Sequence, residues 1–202
     1  MQGSRGRLKI VSSLRKFGIP GYRAVACCLV IFDVILSSTC GHAQPYEKKG
    51  IYRVNANGWV QSEIPDAGDV FTCGECKSPV QIRITYGSAT SRGNKFQSNE
   101  KFLQGLSTGN AQRTFARLVM EDQVPKDMPM DIMKTSISEL GGLKVFLFQA
   151  VTKVEKALSR RTIMMAVHRD RMVTVSLNYF EGGMDEPSRN LVRAFLSSFQ
   201  FL

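Results

Sequence analysis

Two cysteines separated by two residues, Cys73-Gly74-Glu75-Cys76, form the motif with the most chemical content in this 202-residue chain. Thiols at that spacing can close a disulfide ring, cycle as a redox pair or supply half of a zinc site. A redox pair of the thioredoxin type sits at a helix N-terminus, where the dipole stabilises the attacking thiolate. Here Pro79 and the alternating run Val80 to Tyr86 come next, which predicts a strand and withholds that help. Zinc needs two further ligands, and after the N-terminal region only His168 and carboxylates distant in sequence are there to provide them. The expected role of Cys73 and Cys76 is a structural disulfide in an oxidising compartment. The alternative is a thiol-disulfide or metal-handling protein built on the same pair.

The remaining candidates carry less. His168 precedes Arg169-Asp170-Arg171 between two hydrophobic runs and reads as a surface histidine at a tight hairpin. With two histidines in the whole chain, no Ser/His/Asp triad or histidine metal cluster assembles by spacing. Glu121, Asp122, Asp127 and Asp131 surround prolines, the composition of a solvated loop. No catalytic residue, metal or cofactor is therefore expected, and the protein is not read as an enzyme. Lys153, Lys156, Arg160, Arg161, Arg169 and Arg171 fall on connections between late strands. Hairpin ends on one sheet edge would gather them into a basic patch suited to an acidic envelope protein or an anionic envelope component. Aromatic side chains are not interleaved with these charges as nucleic-acid platforms require, so nucleic acid is not an expected partner. Seven methionines between Met120 and Met172 read as adaptable core filling.

The first 43 residues read as an address. Arg5, Arg7, Lys9, Arg15, Lys16 and Arg23 precede an apolar run from Ala24 to Ile35, followed by small residues up to Gly41-His42-Ala43. That order is a secretory signal with cleavage before Gln44, its apolar part too short for a membrane span. Cys40 is a less favoured site for lipid attachment, because Ser37 and Thr39 fit a lipoprotein box badly. The expected destination is the periplasm or the exterior, with no transmembrane span after processing. The chain has 27 basic and 17 acidic residues; removing six and one leaves 21 and 16, a net charge of +5. Residues 44–202 then form a single domain of 159 residues, long enough for a sizeable core.

Positioning these side chains falls to a mixed set of elements. Ile51–Val54, Trp59–Ile64 and Val80–Tyr86 read as strands, Gln44–Lys49 as a loose leader and Gly87–Ser98 as an exposed loop. Ser98 and Thr108 are N-caps, and Ala111, Phe115, Leu118 and Val119 mark one apolar helix face. Four strands follow, at Ile132–Ile137, Leu143–Val154, Arg161–His168 and Met172–Phe180. A helix opens at Glu186-Pro187. Within the last strand, Val173, Val175 and Leu177 should face the core, with Thr174, Ser176 and Asn178 on the other side. Short connections imply an α+β fold, an antiparallel β-sheet covered by two main helices.

The residues from Glu139-Leu140-Gly141-Gly142 to Phe195-Leu196-Ser197-Ser198-Phe199-Gln200-Phe201 resemble the PsbP-like fold. This group includes extrinsic photosystem subunits, Ran-binding Mog proteins and bacterial periplasmic proteins of the DcrB type. In them a strand follows a glycine-glycine entry, and a terminal helix leads into a Ser-Phe-x-Phe tail returning to the sheet. The similarity covers roughly the last 65 residues and the order of elements before them, and leaves out the Cys73/Cys76 segment. It implies an α/β sandwich with a non-enzymatic binding or assembly role, and names no partner or oligomeric state.

Overall fold

The computed structural model describes residues 45–65, 68–91, 94–96, 98–125, 127–154 and 157–202. Residues 1–44, which include the segment expected to be a secretory signal, Cys40 and Gln44, and Lys156 lie outside them. In chain order the elements are β1 (Tyr46–Lys48), β2 (Tyr52–Val54), β3 (Trp59–Ile64), β4 (Gly68–Cys73), β5 (Val80–Ser88), β6 (Thr90–Ser91), β7 (Asn94–Lys95), α1 (Asn99–Gln104), α2 (Gly109–Glu121), β8 (Met130–Leu140), β9 (Leu143–Val154), β10 (Ala157–His168), β11 (Arg171–Phe180), α3 (Glu186–Ser198) and β12 (Gln200–Phe201).

Period-two alternation and short turns produce a seven-stranded antiparallel sheet in the order β3-β4-β5-β11-β10-β9-β8. A small sheet, β1-β2-β12, and a two-stranded β6-β7 ribbon complete the architecture. On one face of the large sheet Ile82, Ile84, Val173, Val175, Leu177, Met164 and Val145 pack under Val192 and Phe195 of α3 and Tyr52 of β2. On the other face Phe146, Phe148, Ile163 and Met165 pack under Phe102 of α1 and Ala116 and Met120 of α2. The class is α+β with helices on the sheet, as the element order implies. Capping follows the sequence: Ser98 accepts from the Lys101 N–H, Thr108 from Ala111 and Asp185 from Ser188.

Several elements differ from their sequence reading. Gln44–Lys49 is not a loose leader throughout: it contains β1, whose Tyr46, Glu47 and Lys48 pair with Val54, Arg53 and Tyr52. Three residues of mixed polarity have no strand signature of their own and become a strand because β2 offers them a ladder. Gly87–Ser98 likewise holds two short strands, β6 and β7, which pair with each other. β4, Gly68–Cys73, is a further strand ahead of the Cys73/Cys76 motif, and β10 begins at Ala157, four residues before Arg161. The terminal tail does return to a sheet, but to the small one, with Gln200 and Phe201 paired to Arg53 and Tyr52. Its approach depends on Gly141, at φ +56°, where an added Cβ would lie 2.7 Å from the Phe199 carbonyl oxygen.

Candidate functional site

Cys73 and Cys76 are joined in a disulfide with Cα atoms 5.5 Å apart. Cys73 is the last residue of β4, opposite Trp59 of β3, and is buried in the core beneath α3. The next amide, Gly74 N–H, donates to the Gly58 carbonyl at 3.0 Å. Between Cys76 and Val80 the chain turns and enters β5 with no helix in between. No helix therefore begins at either cysteine; Lys77, next in the chain, instead pairs with Asp185, the N-cap of α3, at 3.6 Å, and the Gly74 amide ties the β4–β5 connection to the β2–β3 turn.

A second cluster, not evident from the sequence, surrounds Asp69. Its side chain is fully buried between the two sheets. Tyr46 Oη donates to Oδ1 at 2.8 Å and Tyr52 Oη to Oδ2 at 2.7 Å, while Gln61 Nε2 donates to Oδ1 at 3.3 Å. Lys48 Nζ lies 3.9 Å away and also pairs with Glu63. Burial first, then the bond to Asp69, pushes the Tyr46 phenol up to about 12, and the Tyr52 phenol is raised by the same two causes. The two tyrosines hold one oxygen each, so the cluster is a polar rivet between β4 and the small sheet.

Of the six basic residues, Lys156 lies outside the described residues and the other five do not come together. Arg160 lies opposite Tyr179 of β11 and pairs with Glu181; Lys153 is exposed opposite Leu158. Arg161 projects from the opposite side of β10, as alternation requires. Arg169 and Arg171 belong to the far hairpin, where Arg169 and Asp170 form the two-residue turn with φ of +47° and +61°. From Arg161 to His168, the partner of Arg171, is about 23 Å along a strand. Consecutive hairpins of an antiparallel sheet point to opposite ends, which is why one patch does not form. His168 is half-buried rather than a free surface residue: its Nε2 is 2.7 Å from the Leu202 carbonyl oxygen and its ring packs on Phe201.

What the fold does assemble is a polar cleft of about 510 Å³ on the side of the sheet that α1 and α2 cover only over β8, β9 and β10. Its floor is Gln81, Arg83 and Thr85 of β5, Thr174, Ser176 and Asn178 of β11, and Ser159 and Arg161 of β10; its wall is Asp122 and Gln123 at the end of α2. Pairing places Gln81 beside Asn178 and then Arg161, and Arg83 beside Ser176. Val173, Val175 and Leu177 do face the core, and Thr174 and Ser176 do face the other way, yet both of the latter are buried at 9% and 8% exposure. Burial, and then the charge of Arg83, hold the Arg161 guanidinium below the usual arginine range. Of the ten lining residues only Arg161 was singled out for binding from the sequence. The signal for the others was the polar phase of two strands, Gln81-Arg83-Thr85 and Thr174-Ser176-Asn178, which becomes a site only once the two are known to be neighbours.

No family model matches the chain, and no curated protein matches it. Among solved structures, the solution structure of CyanoP, the cyanobacterial PsbP of Synechocystis sp. PCC 6803, is similar at 16% identity over 82% of this chain and 99% of that one, with a TM-score of 0.55. A crystal structure of a protein from Bacteroides thetaiotaomicron VPI-5482 is similar at 11% identity over 79% of this chain, with a TM-score of 0.51; this chain spans 48% of that one, about half its length. At such identities the likeness is one of fold. The chain has a PsbP-like fold.

Proposed function

We propose that this is an exported, non-catalytic protein that binds a protein or an anionic component of the cell envelope. The observation that carries the reading is the asymmetric cover of the large sheet. One face is buried under α3 and the small sheet, whereas on the other β5 and β11 display a block of polar side chains, Gln81, Arg83 and Thr85 beside Thr174, Ser176 and Asn178, flanked along β11 by Met172 and Phe180. A sheet that ends in ordered polar side chains rather than a helix is built to meet something else. Among the described residues no helix is long and apolar enough to cross a membrane. The Cys73–Cys76 ring acts as a staple in this reading, since it leads into strand β5 and no helix begins at either cysteine as it does at a thioredoxin-type redox pair.

Capture from envelope extract tests the proposal. The tagged protein should retain a specific component, and Gln81→Trp, which fills the open face, should abolish retention. Retention indifferent to that substitution, or turnover of a disulfide or ester substrate by the purified protein, would contradict it.

A further inference from the structure

The geometry points to a binding site for a small hydroxylated oxyanion, a sugar phosphate or a sugar acid, whose anionic group lies between Arg83 and Arg161 in the cleft over β5, β11 and β10. The two arginines lie diagonally across β11, their Cα atoms about 12 Å apart by strand and residue spacing. Their long side chains span such a gap and present donors in forks that match phosphate and carboxylate oxygens. Among the described residues neither has an ion pair, although Arg160, one position along the same strand, has Glu181 on the opposite face. Burial first, and then the neighbouring charge of Arg83, disfavour the Arg161 guanidinium in this partly desolvated cleft. An anion between the two arginines offsets that cost with two charge-assisted contacts.

The rest of the lining defines the body of the ligand. Thr85, Ser159, Thr174 and Ser176 bring hydroxyls, and Gln81, Gln123 and Asn178 bring amides. Most binding pockets are largely apolar, with a few polar groups that orient the ligand. The residues lining this cleft are all of polar type, which suits a molecule covered in hydroxyl groups better than an acyl chain or an aromatic ring. The cleft volume lies within the range of small-molecule sites. Asp122, on the α2 wall, is the one carboxylate in the lining. It suits a sugar hydroxyl as an acceptor and leaves the cleft with a positive balance of one.

This inference deepens the binding reading of the same face and rests on it. The test uses purified protein in solution, so its failure leaves export and envelope capture to their own experiments. Titration calorimetry with glucose 6-phosphate, glucuronate, inorganic phosphate and glucose separates the sources of the charge. One or both sugar anions should bind, with glucose undetected and inorganic phosphate weaker than the better sugar anion. Arg83→Gln and Arg161→Gln should each weaken binding by about tenfold or more, and Ser176→Asp should remove it by placing a carboxylate between the arginines. Arg160→Gln and Arg171→Gln should leave affinity unchanged. Thermal melting checks that each variant is folded; Arg161→Gln should melt no lower than the parent, because it removes a partly desolvated charge. No binding of either sugar anion would overturn the proposal. So would binding that survives both cleft substitutions, equal losses on Arg160→Gln, or binding of an acidic peptide in place of the sugar anions.

Discussion

At the residue scale, the disulfide and the buried tyrosines make opposite kinds of contribution. The ring closed by Cys73 and Cys76 spans a sequence separation of 3, so it removes little entropy from the unfolded chain, about 2 kcal/mol or less. The double variant Cys73→Ser/Cys76→Ser should therefore remain folded, lose a small part of its stability in urea denaturation and keep its binding. Loss of binding with an unchanged melting temperature would mark a redox centre instead. Tyr46 and Tyr52 act through pH. Each phenol is raised above its unfolded value, so the stability it contributes is fully present below pH 10 and is lost as pH rises, for Tyr46 over the window from 10 to about 12. Denaturation midpoints measured from pH 8 upward should fall across that window, and Tyr46→Phe should make the fall shallower.

At the scale of elements, β11 is the strand on which the two faces of the sheet can be compared directly. Leu177 packs in the core beneath α3, whereas Ser176 faces Arg83 across the adjacent strand. Leu177→Asp buries a charge without a partner and should lower stability by about 3 kcal/mol or more. Ser176→Asp, at a position equally buried, should change it by less than about 1 kcal/mol, because the new carboxylate meets arginines and Arg83 is solvent-exposed. Thermal denaturation of the pair decides this, and equal losses would refute the facing of the strand. The contrast shows why exposure alone is a poor guide here. Both side chains are nearly inaccessible, and what separates them is the chemistry opposite each.

At the scale of the whole molecule, the proposed function requires that the chain leave the cytoplasm. The basic first segment and the apolar run Ala24–Ile35 motivate that expectation. Protein recovered from the envelope fraction should begin at Gln44 or within a few residues of it, as N-terminal sequencing would read. Retention of Ala24–Ile35 would mean an anchor instead, and mass added at Cys40 a lipoprotein. Removal of the segment halves the net charge, so a binding role rests on where the remaining arginines sit rather than on overall basicity.

Local pattern was sufficient wherever a segment's own residues decide its state. The alternation in Val80–Tyr86 and Val173–Asn178, the caps Ser98 and Thr108, and the tight turn at Arg169-Asp170 were all legible, because each depends on neighbours within a few residues. So was the α+β class, through the order of elements. The sequence could not tell that Tyr46–Lys48 would become a strand, because its ladder lies on β2, or that Asp69 would be buried, because its donors lie 17 and 23 residues away. It could not tell that the basic residues would separate either, since the end of the sheet each hairpin occupies follows from strand pairing. The cleft is the clearest case. Its polar residues were visible as the wet phases of two strands about 90 residues apart, and only the pairing of β5 with β11, beside a β10 that brings Arg161, made them one surface.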